Sequence, residues 1–427
     1  MLLTEGEAIR NLPLLRVLGA QGLSSLGTSV STVALAVMVF EVTGSVLHMG
    51  GILASATFPL VVMSFAGGAF LDRFEARKLM VVADLARAVL ILLMPFAAAR
   101  SVGLVYVVAG TIGVFSSIFN PSQVKLVGEV ARREDLVRVN SYLSIAREGF
   151  ELAGYMVGGA LVVSIGYFST FLLDGLTYMG SALCLIGVPK TVRPEHAPSL
   201  ARLLRESPRA LAEIWRHVDL RANLLFALFP MTAIMMTTPN AYGLALDVYD
   251  VGARGFSLME ILTSAGWIAG GVLASRLNYQ GDRNTYVFVS IIVMAAAFAL
   301  VGLAGSFWLS VAFLVAAAVA NVGVIVGSMT LYQELDPRPD KGRILSVRAG
   351  FGQLASTGGL LAGGALGSVL GITNLFVLVG VLSGLLACAV YLPYRVARPG
   401  ETFVPAGATG VEIRARHAVE DEPGGQA

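Results

Sequence analysis

Long apolar stretches, separated by short polar ones, follow one another along almost the whole chain. A helix needs about 20 apolar residues to cross a hydrocarbon core roughly 30 Å thick. About twelve stretches are that long, near residues 14–40, 46–71, 79–99, 101–122, 140–164, 168–189, 222–247, 255–277, 285–304, 307–333, 344–370 and 373–394. Because a helix satisfies its own backbone hydrogen bonds in lipid, the pattern predicts transmembrane helices rather than strands.

The composition supports a membrane protein. Of the 427 residues, 56% are hydrophobic and 14% are charged, and the mean hydropathy is +0.76. A soluble protein covers its surface with more polar groups than this. The opening "MLLTEGEAIR" and the long first apolar stretch are unlike a cleavable signal peptide, so we expect that stretch to be a membrane helix.

The positions of the 30 Lys and Arg residues predict the orientation. Basic residues concentrate in cytoplasmic loops of membrane proteins. If both termini are cytoplasmic, most Lys and Arg fall on that side, and only Arg100 and Arg254 fall outside the membrane on the other. The sequence therefore predicts a multi-pass protein of a bacterial inner (plasma) membrane with both termini in the cytoplasm.

The apolar pattern is interrupted once at length, by the prolines and charges of residues 190–221. This segment predicts a cytoplasmic linker between an N-terminal six-helix bundle, residues 1–189, and a C-terminal one, residues 222–394. Residues 395–427 are charged and rich in glycine, and they predict a disordered cytoplasmic tail.

Two stretches of the first half recur in the second at nearly the same offset. "GGAFLDR" at 67–73 is matched by "GGVLASR" at 270–276, and "LSIAREGFELA" at 143–153 is matched by "LSVRAGFGQLA" at 345–355. Many transporters are built from related halves. The matches therefore favour two six-helix repeats.

The first of these stretches contains a glycine, three residues, Asp-Arg and then a basic cluster, represented by Gly68, Asp72, Arg73 and Arg77. In this motif the chain resembles the major facilitator superfamily, in particular its bacterial exporter branch with macrolide efflux and enterobactin export proteins. Other branch-like stretches are "VTGS", "DLARA", "FNPSQ" and "DPRPDKGRILSV". Glu75 occupies a position where the superfamily usually has glycine.

The resemblance implies an all-α integral membrane fold of twelve helices in two six-helix pseudo-repeat bundles. It also implies that Asp72 and Arg73 act in a gate that holds the outward-facing form. The alternative for the basic residues of the motif is simple anchoring at the cytoplasmic surface.

Three ionisable residues, Arg147, Glu148 and Glu151, lie close together on the fifth predicted helix. Residues three or four apart share a helix face, so each glutamate can interact with a neighbour in this group. Two carboxyl groups beside one arginine favour uptake of a proton, as a proton-coupled transporter requires. The alternative is a static pair of Arg147 with one glutamate. On the third helix, Asp84 and Arg87 predict a structural ion pair.

The resemblance places substrate between the two halves, on helices 1, 4, 7 and 10. Polar residues spaced four, three and four apart form a stripe on helix 1: Gln21, Ser25, Thr28 and Thr32. Further candidates for the lining are Asn120, Met235, Met236, Asn240 and Asn321. Because this set carries almost no fixed charge, it favours a bulky, amphipathic, weakly charged ligand.

These observations predict a secondary active transporter, in particular a proton-coupled exporter of amphipathic drug-like or natural-product molecules that works by alternating access. The alternatives are a lipid or lysolipid translocator and a transporter-like sensor without turnover. No enzyme motif, metal cluster or cofactor-binding segment occurs in the sequence, and no nucleic-acid partner is indicated. We expect protons, membrane lipids and a small-molecule substrate as partners, and a monomer, although the sequence does not determine the oligomeric state.

Overall fold

The protein is represented by a computed structural model that describes residues 12–71, 74–131, 136–189, 211–277, 279, 281–334 and 341–397. Asp72 and Arg73 of the predicted gate lie outside this part of the chain. So do most of the predicted linker and nearly all of the predicted tail. Gly68 and Glu148 lie on described helices, but nothing beyond their backbone is described.

Long helices make up nearly all of the described chain. Their bounds are α1 Leu12–Thr43, α2 Val46–Leu71, α3 Ala76–Arg100, α4 Val102–Val130, a paired segment Leu136–Ile186, α7 Val218–Gly243, α8 Gly252–Leu277, α9 Arg283–Leu303, α10 Phe307–Glu334, α11 Lys341–Leu370 and α12 Ile372–Ala397. A π-helical turn, Leu244–Val248, follows α7. The start of α7 at Val218 lies within the segment predicted as linker.

The segment Leu136–Ile186 consists of two helices that meet at Gly166, whose φ of 73° and ψ of 165° are not helical. We name the arms α5, residues 136–165, and α6, residues 167–186. Positive φ is easily adopted by glycine because it lacks a Cβ. The two arms run in opposite directions. The segment therefore contributes two of the twelve helices.

The packing of α1 shows this reversal directly. Going along α1, Gly22 faces Phe150 of α5 and Leu26 faces Gly154 further along α5. In the same direction, Gly19 faces Cys184 and Gly27 faces Asp174, so α6 runs backwards along α1. The helix α1 is therefore held between the two arms of one hairpin.

Most helices satisfy the requirements for a membrane span. Ten described segments are long and apolar enough to cross a membrane, and residues 149–186, which contain the second half of α5 and all of α6, count as one of them. Glycine-rich α11 is the long helix that does not meet the apolarity requirement among the described residues. The prediction of an all-α membrane fold with twelve helices in two bundles is confirmed.

Small residues bring helices together within the C-terminal half. In the C-terminal half, a Cβ added to Gly359 would lie 2.7 Å from the carbonyl oxygen of Thr232, which places the backbones of α11 and α7 in direct contact. In the same half, Gly380 brings α12 within similar reach of Ala295 on α9. Close backbone approach through small residues is a main source of helix association in lipid.

The closest backbone contacts between the two halves, among the described residues, lie toward one end of the molecule. We call the end where α1 begins and α12 ends the near end, and the opposite end the far end. Near the far end, a Cβ on Gly50 of α2 would lie 2.9 Å from the Cα of Gly364 on α11, and one on Gly159 of α5 would lie 2.8 Å from the carbonyl oxygen of Ala253 on α8. Deeper in the bundle, the hydroxyl groups of Thr57 and Thr357 are 3.3 Å apart.

Candidate functional site: two cavities and their charged residues

A cavity of about 460 Å³ lies inside the N-terminal half, between α1 and the helices α2 to α6. All four residues of the predicted polar stripe on α1 line it: Gln21, Ser25, Thr28 and Thr32. Asn120 of α4 lines it as well. The helical spacing of these residues places them on one face, and the structure turns that face into the cavity.

Hydrogen bonds fix the orientation of the stripe. The amide of Gln21 donates to Ser25 at 3.0 Å, and the amide of Gln123 on α4 donates to the Gln21 oxygen. The hydroxyl groups of Thr28 and of Tyr178 on α6 are 3.1 Å apart. The polar stripe therefore has partners on two other helices of the same half.

Arg87 of α3 lines this cavity and forms an ion pair with Asp84 of the same helix. The side chains of Asp84 and Arg87 are 0% and 6% exposed, and Ser181 of α6 donates a hydrogen bond of 2.6 Å to the second oxygen of Asp84. The Arg87 guanidinium carbon lies 4.3 Å from the ring centre of Phe119 and 4.6 Å from that of Tyr178. Arg87 is thus a cation with both a carboxylate and two aromatic rings around it.

A second carboxyl group, Asp174 of α6, lines the same cavity and is 1% exposed. Ser31 donates a hydrogen bond to it, and the Thr177 hydroxyl donates another at 3.2 Å. Arg87 interacts electrostatically with Asp174 as well as with Asp84. Sequence reasoning missed Asp174, although a lone carboxyl group within an apolar stretch is itself a signal of a functional site.

The C-terminal half contains a second cavity, of about 510 Å³, between α5 and the helices α7 to α10. Met235 and Asn321, both predicted for the lining, line it. Met236 and Asn240 lie outside the lining of both cavities. The amide of Asn240 donates to the carbonyl oxygens of Met236 and Gly363, and these contacts place both residues against α11.

The predicted charge group on α5 lies where the two cavities meet. Arg147 and Glu151 line both cavities, one helical turn apart on the same face of α5. The side chain of Glu148 lies outside the described part of the structure. The Glu151 side chain is thus in contact with the cavity of the N-terminal half and with the cavity of the C-terminal half.

Glu260 of α8, which sequence reasoning also missed, adds a carboxyl group to the lining of the second cavity. The expectation of a lining with almost no fixed charge is therefore wrong. It failed because it considered only helices 1, 4, 7 and 10, whereas the charged residues come from α3, α5, α6 and α8. A ligand in these cavities meets both carboxyl groups and guanidinium groups.

The described part of the predicted gating motif is bonded within its own half. Arg77 donates to the carbonyl oxygen of Val188 at 2.7 Å and forms an ion pair of 3.2 Å with Glu75. Lys78 lies 3.3 Å from the other oxygen of Glu75. The glutamate that replaces the usual glycine therefore partly neutralises the basic cluster and ties it to the start of α3.

Within the described ranges, no group of three or more His, Cys, Asp or Glu residues is arranged to hold a metal ion. Cys184 and Cys388 are free thiols on different helices. The polar chemistry of the described interior is therefore that of hydroxyl groups, amides, carboxyl groups and arginines.

Comparisons with known proteins agree with this architecture. The chain is 23% identical to the multidrug efflux pump Tap of Mycolicibacterium fortuitum, over 89% of this chain and 96% of that protein. It is 22% identical to macrolide efflux protein A of Streptococcus pyogenes, over 85% of this chain and 91% of that protein. Among solved structures, a bacterial homologue of the human lysosomal transporter Spinster superposes with a TM-score of 0.71 at 14% identity, covering 94% of this chain and 100% of that one.

The family model described as Major Facilitator Superfamily matches residues 17–284, which is more than half of the chain. The fold agrees with this match, since the described helices form two bundles with a cavity in each. The resemblance inferred from the motif residues is thereby confirmed, and both the family and the fold are those of transporters. The chain belongs to the Major Facilitator Superfamily and is a multi-pass membrane transporter of the bacterial type.

Proposed function

We propose that the protein is a proton-coupled exporter of amphipathic small molecules that works by alternating access. The observation that carries this proposal is the position of Glu151, which lines both cavities together with Arg147. A carboxyl group at this place can take up or release a proton through one cavity while substrate occupies the other. The efflux proteins among the relatives support the direction of transport.

The distribution of charge supports a cytoplasmic near end. Basic residues of the described chain concentrate there, namely Arg16, Arg77, Lys78, Lys125, Arg221, Arg276, Arg283 and Arg395. Arg100 and Arg254 lie at the far end. By the positive-inside rule, both termini are then cytoplasmic and the membrane is the bacterial inner membrane. The predicted linker, which α7 shortens to the residues before Val218, and the predicted tail after α12 then lie on the cytoplasmic side.

With this orientation, the closest backbone contacts between the halves lie toward the outer side of the membrane. Gly50 and Gly364 approach one another there, as do Gly159 and Ala253. Closure at the outer side together with large cavities inside the bundle corresponds to the cytoplasm-facing state of an alternating-access cycle. In this state substrate enters from the cytoplasm, and the opposite state follows when the outer contacts separate.

Transport in proteoliposomes tests the proposal. We expect a pH gradient to drive efflux of dyes and macrolide-like compounds by the wild type, and Glu151→Gln to abolish this efflux while substrate exchange without a gradient persists. Exchange needs binding and alternating access but no net proton movement. Glu129→Gln, which removes an exposed carboxyl group of α4 outside both cavities, serves as the matched control and should transport normally.

Equal gradient-driven flux by the wild type and Glu151→Gln would show that coupling does not depend on Glu151. Glu148, Asp84 and Asp174 would then be the next candidates for the proton-coupling residue. If lipid probes are moved in place of the small molecules, the translocator becomes the better description of the protein.

A further inference from the structure

One face of α8 carries polar and aromatic side chains that line the second cavity. Glu260, Thr263, Ser264 and Trp267 follow one another at helical spacings of three, one and three, and all four line the second cavity. Residues at these spacings share a face. The helix therefore presents a carboxyl group and an indole ring to the same cavity, two turns apart, with hydroxyl groups between them.

Aromatic rings from other helices line the same cavity as Glu260. Tyr155 of α5 and Tyr242 of α7 line the same cavity as Glu260. Phe298 of α9 contributes a further ring to the lining. Four helices thus supply aromatic rings to the cavity that Glu260 lines.

The charges on the described lining of this cavity do not balance. Its lining contains two carboxyl groups, Glu151 and Glu260, and one basic residue, Arg147. Arg147 lies one turn from Glu151 on α5, whereas no Lys or Arg within the described residues forms an ion pair with Glu260. A carboxylate at membrane depth requires a compensating positive charge or a proton.

The N-terminal half shows how this protein accommodates a cation in such surroundings. There the guanidinium of Arg87 lies beside the carboxylate of Asp84 and over the rings of Phe119 and Tyr178. The second cavity has the same kinds of groups, a carboxyl group with tyrosine, tryptophan and phenylalanine rings. It differs in that the described protein supplies no cation at Glu260.

We propose that Glu260, with Tyr155, Tyr242 and Trp267, binds the positively charged group of a lipophilic organic cation. The carboxylate supplies the opposite charge and the rings supply cation–π contacts and apolar surface. The volume of about 510 Å³ suits a ligand of drug size. The inference deepens the proposed exporter function, on which it rests, by naming cations as the substrate class of this site.

Equilibrium binding of tetraphenylphosphonium to the purified, detergent-solubilised protein tests the inference. The chain has three tryptophans, and of these Trp267 lines the cavity. Replacing Trp215 and Trp308 by phenylalanine leaves Trp267 as the single fluorescent reporter. Triphenylphosphine oxide, which is similar in shape but uncharged, measures binding without the charge.

We expect tetraphenylphosphonium to change Trp267 fluorescence and Glu260→Gln to raise its Kd at least tenfold. Binding of triphenylphosphine oxide should be the same in both proteins. Glu41→Gln serves as the matched control, because it removes an exposed carboxyl group of α1 that lines neither cavity. Glu260→Asp, which keeps the charge, should retain most of the affinity and serves also if Glu260→Gln does not fold.

Three results would overturn the inference: no binding of tetraphenylphosphonium to the wild type, an unchanged Kd in Glu260→Gln, or equal weakening of the charged and the uncharged probe. The binding assay uses no gradient, so its outcome is separate from that of the proteoliposome experiment. A protein that binds the cation through Glu260 but transports nothing would overturn only the proposed function.

Discussion

Ser31 donates a hydrogen bond to the carboxyl group of Asp174 and thereby joins the polar face of α1 to α6. Asp174 is 1% exposed, so water cannot readily replace a lost donor. We expect Ser31→Ala to lower the free energy of unfolding by about 1–3 kcal/mol, the usual cost of leaving a buried polar group one partner short. Thermal unfolding in detergent measures the effect.

The matched control for this change is Ser275→Ala. Ser275 is an exposed residue of α8 whose hydroxyl bonds only to a carbonyl oxygen of its own helix. Its removal should leave the unfolding midpoint almost unchanged. Similar midpoint shifts for both variants would contradict a special role of the bond between α1 and α6.

Arg87→Met removes the cation between Asp84 and the aromatic rings. The side chain of Asp84 is 0% exposed, so the change leaves a buried carboxyl group without its ion-pair partner. Breaking a buried pair on one side typically costs about 3–5 kcal/mol. We expect a correspondingly large fall in the unfolding midpoint, measured in detergent.

A double variant separates the lost charge from the lost packing. Asp84→Asn combined with Arg87→Met removes both charges, and we expect it to be more stable than Arg87→Met alone. If the double variant is equally unstable or less stable, packing of the arginine against Phe119 and Tyr178 dominates and the charge argument fails.

Gly27→Ala should separate α1 from α6. A Cβ at Gly27 would overlap the side chains of Asp174 and Thr177, and the neighbouring helices hold both in place. Overpacking of this kind usually costs about 1–3 kcal/mol. At Gly19, one of the preceding positions of α1, a Cβ would meet only the Cys184 sulfur at an ordinary 3.8 Å. Gly19→Ala is therefore the control and should unfold at nearly the wild-type temperature.

A disulfide between α2 and α11 should stop the transport cycle. The hydroxyl oxygens of Thr57 and Thr357 are 3.3 Å apart, and cysteines at these positions can approach each other closely. In a background without Cys184 and Cys388, we expect oxidation of Thr57→Cys/Thr357→Cys to abolish transport and reduction to restore it. The reason is that alternating access requires these helices to separate.

Each single cysteine variant provides the control, because neither can form this disulfide and both should transport under oxidising conditions. Full transport by the crosslinked protein would show that the contact between α2 and α11 persists through the cycle. The proposed closure at the outer side would then not be the one that opens.

The polar stripe of α1 shows what the sequence can determine. Gln21, Ser25, Thr28 and Thr32 stand out because helical spacing places four polar groups on one face of an otherwise apolar helix. Because a polar face is unfavourable against lipid, it is expected to face a cavity or another helix. The length of the apolar stretches determines the number of helices in the same way.

The sequence could not determine the direction of the side chains on α7. Its apolar residues are spread around the whole helix, and Pro230 and Pro239 lie inside it. Met235 and Met236 are therefore equivalent as sequence, yet one lines the second cavity and the other packs against α11. Only the packing of α11 through its glycines decides between them.

The carboxyl groups of α6 and α8 escaped prediction for another reason. Asp174 and Glu260 are each a single charge in an apolar stretch, without a partner at helical spacing that would draw attention to it. Their surroundings come from other helices. The rule that an ionisable residue at membrane depth indicates function would have found both.

The turn at Gly166 has a mechanical consequence for the N-terminal half. It makes α5 and α6 one hairpin, and that hairpin grips α1 from two sides. Because α5 and α6 are joined at this turn and both pack on α1, we expect a movement of α5 to carry α1 and α6 with it. Glu151 on one arm and Asp174 on the other would travel together, so that an event at the junction of the cavities repositions the charge deep in the first.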